Sequence, residues 1–338
     1  MPYSVFDTPY LALLALFLDL LLGDPKLPWP HPVVAIGKLL NFLETLARKL
    51  TPKNPKYAPI CARILGVFCL VLALSLVGIS VYWLIHLPYI GCLIAIYLAW
   101  SGLAMGCLLD TGAYVLTKIE TASAKQGAQA LKMLVSRETA GMERPLLRKT
   151  WADTMTENFT DALTAPFFWL LMAGPIGLWL YKAVSTMDSM WGYLTPKWRY
   201  LGWAGARSDD LLALLPARLS IIAIWFTDKF ISTLIPKKRR WQGSWPGFWH
   251  IHKQALGMPS PNSGCPMAAF ASLLQIRLAG PSTYFGELVQ KPFLGPNKED
   301  ALPLTYALLQ DLAYCLKLSA ILGMLLIWGI FFCLACYI

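Results

Sequence analysis

Charge is scarce in this sequence. Charged side chains make up 14% of its 338 residues against 57% hydrophobic ones, and the mean hydropathy is +0.52. That balance excludes an ordinary water-soluble domain and points to the bilayer as the solvent. The common signatures are missing too. There is no G-x-x-x-x-G-K-[ST], G-x-S-x-G, H-E-x-x-H or G-x-G-x-x-G arrangement, which removes the usual nucleotide, hydrolase and zinc-protease motifs. The N-terminus lacks a basic lead-in and a small-residue cleavage site, so it is expected to remain in the mature chain. No internal repeat or low-complexity tract is evident.

What is present is organised by long apolar runs. Residues 64–109 carry no charge and include only His86 near their centre, enough for a hairpin of two helices crossing roughly 30 Å of hydrocarbon. Residues 318–338 form a second uncharged run, whereas 8–22 is shorter and contains Asp19. Two middle stretches are interrupted: 163–181 by Gly174-Pro175-Ile176-Gly177, and 211–226 by Pro216 and Arg218. Pieces that short suggest re-entrant helices buried in protein. The eight cysteines lie mostly in or beside these runs, and Cys333 and Cys336 form a C-x-x-C without nearby histidines, so packing explains them better than disulfides or metal.

The expected fold is therefore all-α, a single polytopic membrane domain with about four to six transmembrane or re-entrant helices and polar regions between them. Basic loop residues such as Arg48-Lys49, Lys53, Lys56 and Lys237-Lys238-Arg239-Arg240 follow the positive-inside rule, which accounts for the net charge of +10 without nucleic acid. That rule places residues 24–63, 110–161 and 228–317 in the cytoplasm, the second as a pair of amphipathic helices and the third as loops around a short helix near Met267 to Leu278. The block 182–210 lies outside if both interrupted stretches cross and inside if they are re-entrant.

Three constellations can carry chemistry. Asp153, Glu157 and Asp161 recur every four residues, stacking carboxylates on one helical face, where a cation such as Mg²⁺ would relieve their repulsion; a solvated acidic face is the alternative. Lys182, Ser185, Asp188 and Ser189 share a helical wall, followed by Arg207, Asp209 and Asp210; local ion pairs are the bland reading of these. Ser260-Pro-Asn262-Ser263-Gly264 feeds a helix, where free backbone N–H groups suit an anion, although most such turns only cap.

Taken together, the blocks resemble the adenosylcobinamide-phosphate synthase family. The resemblance rests on Asp19-Leu-Leu-Leu-Gly-Asp24-Pro25, Pro30-His31-Pro32-Val33, Ser136-Arg137-Glu-Thr139, Glu157-Asn158 with Asp161, Tyr181-Lys182-Ala183 and Asp188-Ser189-Met190. It continues through Ala206-Arg207 with Asp209-Asp210, Pro216-Ala-Arg-Leu219, Ser260 to Gly264, and Gly280-Pro281 with Tyr284-Phe285-Gly286. Phe159, Ala162 and Cys265 depart from the pattern.

The resemblance implies ATP-driven amide formation between adenosylcobyric acid and an aminopropanol phosphate, catalysed by a cytoplasmic-membrane protein whose site faces the cytoplasm, with lipid and other membrane-bound cobalamin-assembly enzymes as further partners. It implies that the acidic stripe holds Mg²⁺, that Arg137 joins the Ser260 to Gly264 turn in holding nucleotide, and that Lys182 and Arg207 neutralise phosphate. Asp188, Asp209 or Asp210 would serve as proton acceptor, and His31 as base or corrin contact. Trp241, Trp245 and Trp249 would meet either the corrin or the membrane interface. A transporter or signalling protein on the same scaffold is the alternative.

Overall fold

The structure, a computed structural model, describes residues 8–25, 28, 30–52, 54–135, 137–234, 245–284 and 287–337. Lys53, Ser136, the basic run at 237–240, Trp241 and Phe285-Gly286 lie outside the described residues. The helices are α1 (Thr8–Leu22), α2 (Pro32–Leu50), α3 (Ala58–Ile85), α4 (Gly91–Gly102), α5 (Met105–Thr121), α6 (Ala124–Leu131) and α7 (Arg144–Glu157). A π turn, Thr160–Thr164, then leads into α8 (Ala165–Trp191), α9 (Trp203–Leu212), α10 (Leu214–Leu234), α11 (Phe248–Leu256) and α12 (Pro261–Leu274). After the strands come α13 (Tyr306–Leu318), a second π turn, Ser319–Gly323, and α14 (Met324–Tyr337). The only strands among the described residues are two short antiparallel pairs, β1 (Leu278–Ala279) with β4 (Phe293–Leu294) and β2 (Ser282–Tyr284) with β3 (Glu287–Val289).

Among the described residues, five helical stretches are long and apolar enough to cross a membrane: Ala58–Ile85, Gly91–Thr121, Arg144–Trp191, Trp203–Leu234 and Tyr306–Leu334. The protein is thus all-α in substance and multi-pass. Several boundaries differ from those read off hydropathy. The expected 64–109 hairpin begins at Ala58, and its return limb, interrupted at Leu103-Ala104, runs on to Thr121 because Asp110 sits exposed on the helix and disturbs no packing. The C-terminal helix starts at Tyr306 rather than 318. The interrupted stretches are joined to their flanks, so neither is too short to span. Pro216 lies in the first turn of α10, where a missing N–H costs nothing.

The chain divides into two compact units, one comprising Met1–Ala104 with Ala165–Leu214 and the other Met105–Thr164 with Leu215–Ile338. In the first unit, α3 has 28 residues, about 42 Å at 1.5 Å per residue. It buries Gly66, Cys69, Ala73, Val77 and Val81. A methyl group at Gly66 would stand 2.2 Å from the Leu201 carbonyl oxygen, so only glycine permits that approach. Helix ends leave carbonyls without intrahelical donors, and tryptophans supply them here: Trp100 Nε1 donates to Gly23 O (2.8 Å), Trp179 Nε1 to Leu98 O (2.9 Å) and Trp169 Nε1 to Leu212 O (3.1 Å).

The break expected at Gly174-Pro175 lies inside α8, where Ala173 and Gly174 leave helical geometry and Gly174 takes φ 61°, ψ −160°. Beyond it the polar block resumes as helix, because Ala183, Val184, Met187 and Trp191 bury one face. The block is helical over 182–191 and 203–210 and non-helical between them. Leu180 packs against Gly78 and the Leu201 carbonyl faces Gly66, so the segment runs antiparallel to α3 along about 18 Å of it.

In the second unit, Trp151 on α7 donates from Nε1 to the Gly112 carbonyl on α5 (2.8 Å). Phe159 meets Phe270 of α12 edge to face, centroids 5.4 Å apart, a buried contact that fills the space of a smaller residue. The short helix expected near Met267 to Leu278 begins instead at Pro261, in the favoured first-turn position, and stops at Gln275, which turns left-handed at φ 55°.

Candidate functional site

Two polar clusters stand out, one within each unit. In the second unit, Asp153 projects from α7 and is almost wholly buried. Lys149 Nζ, one turn earlier, donates to its Oδ2 at 2.8 Å, and Arg137 Nη2 lies 3.7 Å from the same oxygen. The Ala279 N–H donates to its Oδ1 at 2.8 Å, while Lys149 also donates to the Ala279 carbonyl. Ala279 is a non-glycine residue at φ 57°, and the ion pair grips both its backbone groups. Asp153 is thereby committed to structure.

The expected three-carboxylate stripe is altered at its last member. Among the described residues no three His, Cys, Asp or Glu side chains gather as a metal-binding group. The even spacing is lost because α7 ends at Glu157 and Asp161 sits on the π turn that follows, whose hydrogen bonds link residues i and i+5. Glu157 nevertheless remains within electrostatic reach of Asp153, Asp161, Arg137 and Lys291. Glu157 on α7 thus shares an electrostatic neighbourhood with Asp153, with Asp161 of the π turn, with Arg137 of the preceding loop and with Lys291 of the strand region. Glu157 and Asp161 are both partly accessible. Mg²⁺ is often held by one or two carboxylates plus phosphate oxygens, so two remaining acids fit it.

The Ser260 to Gly264 turn is used for packing. Ser260 makes no side-chain cap bond, Ser263 Oγ donates to the Ser260 carbonyl at 3.2 Å, and the Gly264 N–H donates there as well. A methyl group on Gly264 would press to 3.0 Å from Ala255 of α11. Asn262 Oδ1 accepts from Arg218 of α10. Arg218 also acts electrostatically on His252 and Cys265: burial, then Arg218, lowers the His252 pKa, and burial raises the Cys265 thiol to about 11 against Arg218. Cys265 is accordingly an inert thiol. Trp249 is 77% exposed and Trp245 half-buried, which suits an interfacial aromatic.

In the first unit, His31 caps α2. The Val33 N–H donates to its Nδ1 at 3.3 Å, which places the proton of the neutral ring on Nε2. In that tautomer Nε2 is the ring's donor. Burial holds its pKa below the ordinary value, Asp24 opposes that shift and Lys182 reinforces it, so residues 24, 31 and 182 share one neighbourhood. The flanking Pro30 and Pro32 line an apolar cavity of about 500 Å³ with Val77, Val81, Leu98 and Trp179. Asp188 is half-buried on the same helix as Lys182. Its Oδ1 lies where a methyl group on Gly192 would stand, 2.1 Å away. Arg207 and Asp210 pair with each other at 3.7 Å on α9, 70% and 44% exposed, and Asp209 lies beside them.

Lys149 and Lys291 are not among the residues singled out by the sequence, and Arg218 stands there only within the Pro216-Ala-Arg-Leu219 block. Lys149 had a signal, since it stands four residues before Asp153; Lys291 had none.

A family model described as CobD/Cbib protein matches residues 12–317. Among curated proteins, a cobalamin biosynthesis protein CobD from Pelobacter propionicus is 37% identical over 295 residues, 85% of each chain. Its namesake from Geobacter metallireducens is 36% identical over 292 residues, 84% of this chain and 85% of the other. That from Photorhabdus laumondii is 33% identical over 321 residues, covering 93% and 97%. No solved structure matches.

Proposed function

We infer the reaction from kinship and from the polar clusters: the chain belongs to the CobD/Cbib protein family, and its role is in cobalamin biosynthesis. The activity proposed is that of an adenosylcobinamide-phosphate synthase. A carboxylate of adenosylcobyric acid and the amine of (R)-1-aminopropan-2-ol O-phosphate condense to an amide while ATP is converted to ADP and phosphate. The relatives, all named cobalamin biosynthesis proteins, lend no support to the transporter alternative.

The observation that carries this reading is the gathering of Glu157 and Asp161 with Arg137 and Lys291. A carboxylate is a poor electrophile, so ATP first phosphorylates its oxygen to an acyl phosphate. The amine then attacks the carbonyl, phosphate leaves, and the nitrogen gives up a proton. Arg137 and Lys291 supply positive charge for phosphate oxygens as negative charge migrates between them. Glu157 and Asp161 would hold Mg²⁺, which when bound neutralises charge on the transferring phosphoryl group. Asp153, held by Lys149, positions these groups.

The first unit holds the remaining residues of the family pattern, and their proposed roles rest on that pattern alone. Lys182 suits the phosphate of the amino-alcohol, and Asp188 or Asp210 would accept the proton of the attacking amine. His31, with its donor at Nε2, suits an amide or carboxylate oxygen of the corrinoid beside the apolar cavity. This reading puts the site on the cytoplasmic side, where ATP is available. The test is substrate-dependent ADP release by the purified protein: release that requires both the corrinoid acid and the amine supports the reading, and release independent of either refutes it.

A further inference from the structure

Helix ends meet within the first unit, where α1 stops at Leu22, α2 begins at Pro32 and α4 stops at Gly102. Trp100, at the end of α4, donates from Nε1 to the Gly23 carbonyl at 2.8 Å, which brings Asp24 to that end. Leu178 of α8 packs on Gly102, 2.4 Å from where a methyl group there would stand. Lys182 follows Leu178 by four residues, on the same helical face. Cys61 and Cys69 of α3 face the Leu50 and Leu43 carbonyls of α2, so α2 runs antiparallel to α3 and parallel to the last part of α8. The Met190 sulfur stands 3.8 Å from the place of a methyl group on Gly37. Stepping six residues back along both helices brings His31 level with Val184, about 3 Å along the axis from Lys182. Asp24, His31, Ser101 and Lys182 thus converge from four elements, and the electrostatic contacts of His31 with Asp24, Lys182 and the Ser101 backbone agree with this.

Two of these residues have bonding capacity to spare. Ser101 is 2% exposed, and its Oγ has no hydrogen-bond partner among the described residues. It does not bond back to the carbonyl one turn earlier, as Thr117 and Thr121 do at 2.9 and 2.8 Å. Buried hydroxyls are ordinarily satisfied, so this one marks a place for a bound polar group. Asp24 is half-buried, and among the described residues no hydrogen bond or ion pair engages its carboxylate.

The charges select the ligand. A plain phosphate would meet the Asp24 carboxylate and a plain amine would meet the Lys182 ammonium, whereas a zwitterion satisfies both. The neighbouring cavity, lined by Pro30, Pro32, Leu98 and Trp179, adds only apolar surface.

We propose that this site holds the small amine substrate as a zwitterion: Asp24 pairs with its ammonium, Lys182 with its phosphate, and the Ser101 hydroxyl hydrogen-bonds the phosphate. The identity of the ligand rests on the synthase reading. The pairing with Asp24 belongs to the bound ground state, and the proton passes to the acceptor aspartate when the amine attacks. Asp24 and Ser101 thereby select an amino-alcohol phosphate over a phosphate ester without the amine.

Isothermal titration calorimetry of the full chain in detergent, without ATP or corrinoid, compares 1-aminopropan-2-ol O-phosphate with isopropyl phosphate, which shares its carbon skeleton and phosphate but has no amine. The wild-type chain should bind the amine-bearing ester at least about tenfold more tightly, as a charge-assisted hydrogen bond allows. Asp24→Asn should bring the two esters to near equality, and Asp24→Glu should keep a preference. Ser101→Ala should weaken both esters alike, by about threefold or more. Retained binding of isopropyl phosphate shows that a variant's site is folded. Equal binding of the two esters by the wild type overturns the proposal, as does binding of neither, or an unchanged preference in Asp24→Asn. Product formation by the wild type alongside that unchanged preference overturns this site alone. A preference that Asp24→Asn abolishes, with no product from the wild type, refutes the synthase and leaves the site standing.

Discussion

Lys149 and Asp153, one helical turn apart and 2.8 Å from each other, clamp a single backbone residue, Ala279, one through its carbonyl and the other through its N–H. Ala279 sits in the left-handed region at φ 57°, which costs an L-residue about 1–2 kcal/mol. The ion pair offsets that cost and anchors the strand region to α7.

Removing the clamp should therefore be expensive. Asp153→Ala leaves two cations near a buried position and is expected to destabilise the protein by about 3 kcal/mol. Ala279→Gly, which relieves the strain, should restore roughly 1 kcal/mol of this in the double variant. Thermal unfolding in detergent followed by circular dichroism gives both numbers; full independence of the two changes would dissolve the clamp.

Glu157→Gln and Asp161→Asn should behave differently. Each keeps its volume and the fold, and each is expected to reduce turnover by about a hundredfold or more, as loss of a transition-state charge partner does. Raising Mg²⁺ should recover part of the Asp161→Asn activity. A Mg²⁺ titration at saturating ATP checks this, and near-normal activity in either variant at low Mg²⁺ removes these carboxylates from the ion.

Much of this arrangement was legible in the sequence, and its gaps have physical causes. Apolar runs revealed the spanning helices, and Gly174-Pro175 revealed the break in α8, because backbone geometry there depends on two residues alone. The limits of α5 and α13 were missed because Asp110, Asp311 and Lys317 lie within helices that hydropathy ends at a charge. Lys149 could have been paired with Asp153 by its spacing of four. The contributions of Lys291 and Arg218 arise from tertiary contact, and the π turn at Asp161 carries no sequence signal.

The pH dependence of stability should contain a term from His31. Burial lowers its folded pKa beneath the ordinary 6.5, so the unfolded chain binds the proton more readily. Stability from this residue is complete above that unfolded value and is lost as pH falls through the folded one. His31→Asn keeps a capping side chain without a titrating group. Its thermal midpoint should fall less steeply than that of the wild type below pH 6.5; parallel curves would exclude the His31 contribution.

Gly174 adopts φ 61°, ψ −160°, a region almost closed to residues with a side chain. Gly174→Ala is expected to cost about 1–3 kcal/mol, read as a lower unfolding midpoint, while Gly329→Ala, with nothing within 4 Å of the added carbon, should cost little.

The most direct measurement is the mass of the product. Purified protein in detergent, given adenosylcobyric acid, ATP, Mg²⁺ and aminopropanol phosphate, should yield a corrinoid heavier than the acid by the amine minus one water, and Glu157→Gln should yield almost none. Unmodified corrinoid after incubation with folded wild-type protein, with either aminopropanol phosphate or ethanolamine phosphate as the amine, would contradict the proposed synthase activity.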